Sequence, residues 1–267
     1  MQYPEYSTLE VSCEGAVARL RLNRPDALNS VSSSMRMELV DAVAKINVDP
    51  DVRVVILSGN GRAFCAGADL TEAGAADPAA RGLETELQLK GEYKPSIMGI
   101  VESPKLWIAQ VAGAAAGIGS AYMLACDLVV MAESSYLYQA FIAIALIPDG
   151  GATWQLMHTL GRKRAMQIIL EGERISANAC LEYGLCNKVV ADGSEADAAM
   201  EWAQSMAKKA PIAVRQTKKA LHMASDVSFG EMISQEAALQ NICISSEDAI
   251  EGVQAFLEKR EANFKGR

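Results

Sequence analysis

Residues 105–132, KLWIAQVAGAAAGIGSAYMLACDLVVMA, hold the pattern that decides the fold. Two β-type runs, KLWIAQVAG and CDLVVMA, bracket a stretch of small residues that passes from a turn into a helix. A strand, a crossover helix and a second apolar strand form the unit of a parallel sheet buried on both faces. Leu106 to Cys126 is also 21 residues without a charge, about the length that spans a bilayer. Gly, Ala, Ser and Gln at its centre transfer weakly to lipid, and Lys105 and Asp127 supply neither a basic cluster nor an aromatic belt. A buried strand, turn and helix fit better.

Upstream, STLEVSCEGAVARLRLNRP alternates apolar and polar positions on both sides of CEGA, which predicts a hairpin. After NRPDALN, Ser30 to Ser34 can cap a helix whose apolar positions Met35, Leu39, Val43 and Ile46 follow the 3.6-residue repeat. DVRVVILSG then reads as a buried strand ending at Gly59. From about Gly151 the chain is mostly helical, with predicted helices in ATWQLMHTLG, RKRAMQIILEG, ISANACLEYG, SEADAAMEWAQSMAKKA, PIAVRQTKKALHMAS and SSEDAIEGVQAFLEKREANF. In the last, Ser245 and Asp248 resemble a capping box, and Ile250, Val253, Phe256 and Leu257 form an apolar stripe.

Half of the 267 residues are hydrophobic, and 25 Lys and Arg stand against 33 Asp and Glu for a net charge of −8. That supports a large core and disfavours a nucleic-acid partner. Basic residues gather late, in AKKAP, RQTKKA and EKREANFKGR, either as solvated helix faces or as local phosphate sites. Six cysteines lack a CxxC pair and only two histidines are present, so no metal is expected. The N-terminal residues do not resemble a secretory signal, and the expectation is a cytoplasmic protein with free thiols.

Three motifs carry candidate chemistry. In GNGRAFCAGADL, residues 59–70, small side chains at Ala66, Gly67 and Ala68 leave backbone N–H groups open to a ligand oxygen, although a tight turn would use the same residues. In GAAAGIGSAYML, residues 113–124, the N–H groups near Gly117, Ile118 and Gly119 sit where a helix begins and can hold an anion. A dinucleotide fingerprint fails there, because Tyr122 stands where its third glycine belongs. In ALIPDGGATW, residues 145–154, Asp149 follows an uncharged apolar run. By itself it reads as a turn residue, yet such surroundings disfavour its ionised form. There is no GxSxG elbow, and His158 and His222 read as helix residues.

RLNRPDALNSV, GNGRAFCAGADL, VAGAAAGIGSAYMLACDLVVMAE, IPDGGATWQL, LEGERISANACLEYGL and AFLEKREANF together resemble the crotonase, or enoyl-CoA hydratase/isomerase, superfamily over nearly the whole chain. The resemblance implies an α/β fold with a repeated ββα spiral core, over residues 1–200, and a C-terminal α-helical trimerisation region over 201–267. It implies homotrimers or homohexamers acting on acyl-CoA, with coenzyme A entering as part of the substrate rather than as a separate cofactor. The thioester oxygen would rest on the amides of Ala68 and Ile118. The resemblance also points to Arg24 near a phosphate, to Ala63, Ala66 and Ala68 near adenine and pantetheine, and to Phe256 and Lys259 reaching a neighbouring subunit's ligand. Hydratases of the family use two glutamates; the matching positions are Ala121 and Phe141. Asp149 matches the single carboxylate of several isomerases. The implied function is therefore movement of a double bond from 3-enoyl-CoA to 2-enoyl-CoA, with hydration, ring-type acyl-CoA isomerisation and non-catalytic acyl-CoA binding as alternatives. Acyl chain length, branching and pathway are not legible.

Overall fold

The computed structural model describes residues 1–72 and 77–267. The expected hairpin forms from β1 (Leu9–Glu14) and β2 (Val17–Leu22), paired antiparallel across Gly15. Ser32 then caps α1 (Ser33–Val48), its hydroxyl accepting from the Met35 N–H, and Met35, Leu39, Val43 and Ile46 are all buried. β3 (Val54–Gly59) is followed by α2 (Pro78–Gln88), a wide turn at Leu89–Tyr93 and α3 (Lys94–Val101).

The deciding stretch folds as β4 (Leu106–Val111), β5 (Ala114–Ala116), α4 (Ile118–Ala125) and β6 (Leu128–Ala132). After β7 (Tyr136–Tyr138) come α5 (Ala152–Glu171), β8 (Arg174–Ser176), α6 (Ala177–Glu182) and β9 (Lys188–Val190). The chain finishes with α7 (Glu195–Ala207), α8 (Pro211–Met223), α9 (Phe229–Ile244) and α10 (Glu247–Glu258). The expected boundary at residue 200 falls within α7. None of the helices among the described residues is long and apolar enough to cross a membrane.

A six-stranded sheet runs β1-β2-β3-β4-β6-β9, parallel after the first hairpin, beside a three-stranded sheet β5-β7-β8. The apolar sequence of β3 follows from burial on both faces. Val55 and Leu57 face the main core with Trp107 and Met35, while Val54 and Ile56 pack with Ala199, Met200 and Ala203 of α7. Because successive strand residues point to opposite sides, neither face can be polar.

Several helices differ from expectation for local reasons. The two expected after Gly151 are continuous in α5, interrupted only where Gly161 leaves helical geometry at φ 71° and ψ 164°. In ISANACLEYG, Ile175 and Ser176 pair in β8, and Ser176 caps α6. The cap of α10 is Ser246 rather than Ser245. Asp248 does not close a capping box; its carboxylate accepts from the Lys265 and Gly266 N–H groups, tying down the C-terminal tail. α9 is a helix that the sequence reading does not predict, although Ser228 caps it by accepting from the Glu231 N–H. Ile250, Val253, Phe256 and Leu257 of α10 are all largely exposed in the single chain.

The C-terminal helices are keyed to the core by Lys218. Its ammonium donates to Asp127 Oδ2 at 2.9 Å and to the carbonyls of Ile100 and Lys105 at 2.7 and 3.2 Å. Asp127 in turn accepts from the Trp107 N–H, and burial still pushes its pKa up. Removing one partner strands the other in a poorly solvated place. Lys218→Met is therefore expected to lower unfolding stability by about 3–5 kcal/mol, measured by denaturant titration, and a loss below about 1 kcal/mol would contradict this account.

Candidate active site

Two loops meet at the C-terminal ends of β3 and β4. The Cys65 N–H donates to Ala114 O at 2.9 Å, the Ala116 N–H donates to Cys65 O at 2.8 Å, and the Asp69 N–H donates to Val31 O at 3.1 Å. These bonds stitch residues 65–69 between β5 and the loop ahead of α1. Gly117, at φ 51° and ψ −129°, turns β5 into α4 and lies against Gly67: a Cβ added there would stand 3.5 Å from Gly67 Cα. Gly119 packs still more tightly, since a Cβ would come within 2.6 Å of Cys65 Cβ.

The residues after these touching glycines are Ala68 and Ile118. Neither N–H has an acceptor among the described residues, and Ile118 is the first residue of α4, where N–H groups have no partner within the helix. Ala68 is exposed. The arrangement provides two neighbouring amide donors, one at a helix N-terminus, suited to an oxygen that gains negative charge.

Asp149 stands just ahead of α5, its carbonyl accepting from the Ala152 N–H. Gly150 presses it against α4. A Cβ on Gly150 would collide with Ile118 Cδ1 and lie 2.8 Å from Ala121 Cβ and 3.1 Å from Ile97 Cδ1. The backbone just after the acid is thereby packed on the Ile118 and Ala121 side chains of α4. Asp149 Oδ1 is buried with no hydrogen-bond partner, and burial raises its pKa to about 6, against a smaller lowering by its own backbone N–H. A buried carboxylate oxygen normally finds a partner, so Oδ1, left without one, is available to accept a proton.

The positions facing α4 and Gly117 carry no carboxylate of their own. Ala121 is buried against Gly150, and the Phe141 ring lies about 4.0 Å from where a Gly117 Cβ would be. Tyr93 is pushed up to about 12, chiefly by burial, with the Asp149 charge contributing. Cys65 is wholly buried and its thiol is likewise pushed up to about 12 by desolvation, which suits packing rather than nucleophilic attack. Among the described residues no cluster of three His, Cys, Asp or Glu side chains could hold a metal ion.

A cavity of about 470 Å³ opens from Asp149 between α3, α5 and α8. Ile97, Met98 and Val101 supply apolar wall, and Trp154, Gln155 and His222 line it too. His158 stacks on Trp154 at 3.8 Å and does not line this cavity. His222 is the helix residue that the sequence suggests, but its place on the cavity, Gln155 and the cavity itself were not read from the sequence, since helical spacing alone does not reveal which distant helix α8 meets.

Of the expected coenzyme A residues, Arg24, Ala63, Ala66 and Ala68 share the two stitched loops. Arg24 pairs with Asp69 at 2.8 Å and donates to Ser30 O at 2.6 Å. Thr71 and then Arg24 hold the Asp69 carboxyl below its usual range, so Asp69 buttresses the loop. Ala63 O accepts from Asn29 Nδ2, and the Ala66 N–H donates to Leu28 O. Phe256, 82% exposed, and Lys259, left-handed at φ 56°, lie at the end of α10.

Residues 12–267 match the family model described as enoyl-CoA hydratase/isomerase. A probable enoyl-CoA hydratase of Rhodobacter capsulatus is 38% identical over 265 residues, covering 98% of this chain and 99% of that protein. The 1,2-epoxyphenylacetyl-CoA isomerase of Escherichia coli is 35% identical over 254 residues, covering 95% and 97%. Among solved structures, an enoyl-CoA hydratase from Bacillus anthracis superposes with a TM-score of 0.92 at 33% identity, covering 98% of this chain and all of that one.

Proposed function

The chain belongs to the enoyl-CoA hydratase/isomerase family, and from that premise we propose that it is a one-carboxylate isomerase converting 3-enoyl-CoA to 2-enoyl-CoA. The observation that carries this reading is Asp149 Oδ1, buried and unpartnered next to a Gly150 that packs on α4, with Ala121 and Phe141 where hydratases of the family have glutamates. Asp149 removes a proton from C2. The electron pair delocalises over the thioester and the double bond, and the resulting oxygen anion accepts from the Ala68 and Ile118 N–H groups. Asp149 then returns the proton to C4. One carboxylate with a pKa near 6 suits both halves, being mostly ionised at neutral pH yet basic enough to take the proton.

Hydration is the second reading, favoured by the name of the Rhodobacter relative. It requires a group to activate water, and a glutamate in place of Ala121 would have to displace Gly150, which packs directly on that side chain. In the same proposal, Arg24, Ala63 and Ala66 contact coenzyme A, and Phe256 and Lys259 reach a neighbour's ligand in a homotrimer or homohexamer. The exposed apolar stripe of α10 supports association. The chemistry calls for no cofactor beyond the substrate's coenzyme A, and a cytoplasmic setting is part of the proposal.

The test supplies 3-enoyl-CoA and 2-enoyl-CoA of several lengths to the purified protein, following bond migration and hydration separately. Isomerisation is expected to exceed hydration by at least about 100-fold, the scale of one general acid–base contribution. Hydration at a comparable rate would overturn the isomerase assignment.

A further inference from the structure

Resting on the acyl-CoA reading above, we infer that the cavity behind Asp149 selects acyl groups ending in an aromatic ring, and that Trp154 is the residue that determines this choice. A thioester carbonyl on the Ala68 and Ile118 amides, with its C2 at Asp149, sends the rest of its acyl group toward the space that Asp149 also lines. That space, about 470 Å³, is ample for a ring, since an apolar cavity of roughly 150 Å³ holds benzene.

The walls distinguish a ring from a straight chain. Ile97 and Val101 accept either, but Trp154, Met98 and His222 favour aromatic contacts through stacking and sulfur–ring packing. Trp154 remains 38% exposed although it lines the cavity. It is nevertheless held in place: His158 stacks on it at 3.8 Å with ring planes 23° apart, and His158 Nδ1 lies 2.8 Å from the Trp154 carbonyl oxygen. A fixed indole loses little freedom when a planar group settles on it, so its contact area translates into selectivity. The charged lining residues Lys94 and Asp226 are exposed and therefore approach the cavity from solvent.

Calorimetry with phenylacetyl-CoA and hexanoyl-CoA tests this directly, because neither thioester carries a double bond to migrate. The wild-type protein is expected to bind phenylacetyl-CoA about 3- to 10-fold more tightly. Trp154→Leu is expected to bring the ratio close to one, and Trp154→Phe, which keeps a ring, to preserve most of it. Equal or tighter binding of hexanoyl-CoA by the wild type, or an unchanged ratio in Trp154→Leu, overturns the inference. Either result alongside Asp149-dependent isomerisation leaves the proposed reaction standing. Failure of both thioesters and of free coenzyme A to bind would overturn the acyl-CoA reading as well.

Discussion

Asp149→Asn is expected to lower kcat/KM for 3-enoyl-CoA isomerisation by about 10³-fold, within the range of a positioned acid–base group. Asparagine keeps the shape and cannot take the C2 proton. The wild-type rate should rise with pH through about 6 and then level off, because the ionised form is the base and burial sets its pKa there. The variant's residual rate should lack that step.

The same substitution should stabilise the fold. A carboxyl whose folded pKa exceeds its unfolded value binds more protons when folded, so its contribution to stability falls as pH rises from about 4 to about 6 and stays unfavourable above. Asp149→Asn should therefore be more stable than wild type at pH 7–8 by about 1–2 kcal/mol, discounted for partial solvent access and for the new amide's own lack of partners. The advantage should vanish near pH 4. Denaturant melts at both pH values would check it, and a variant with full activity would end the assignment.

Gly117→Ala is expected to cost about 10²-fold or more in kcat with KM changed by less than about threefold, the pattern of losing an interaction made mainly in the transition state. The cause is strain rather than a clash, since a Cβ would meet nothing closer than Gly67 Cα at 3.5 Å. At φ 51° and ψ −129°, a side chain makes the backbone costly by about 1–3 kcal/mol. Relaxation of that strain would re-aim the next N–H, that of Ile118. Gly230→Ala, in α9 where an added Cβ meets nothing within 4 Å, serves as the control and should leave the kinetics unchanged. A similar loss in KM alone would mean that this amide holds the ground state and not the developing charge.

The legible elements were those long enough to show a period. α1 repeats its apolar residues along its whole length, and β3 opens with the unbroken apolar run Val54 to Leu57. By contrast β5, β7 and β9 have three residues each, too few for alternation to distinguish a strand from a turn. α10 was legible as a helix, but its start was read one residue early: the Ser246 hydroxyl accepts from the Ala249 N–H, and Asp248 holds the C-terminal tail, a long-range contact that local spacing does not reveal.

The parallel α/β arrangement, the absence of carboxylates at 121 and 141, and an acid at 149 after an uncharged run can all be read along the chain. Those follow from local composition and from periods written along the chain. The packing of distant elements settled the rest: Gly67 touches Gly117, Gly150 next to Asp149 packs on Ile118, and α8 brings His222 to the cavity lined by Trp154. These contacts join residues about 30 to nearly 70 positions apart, and such closure is set by how strands and helices pack rather than by any spacing within one element.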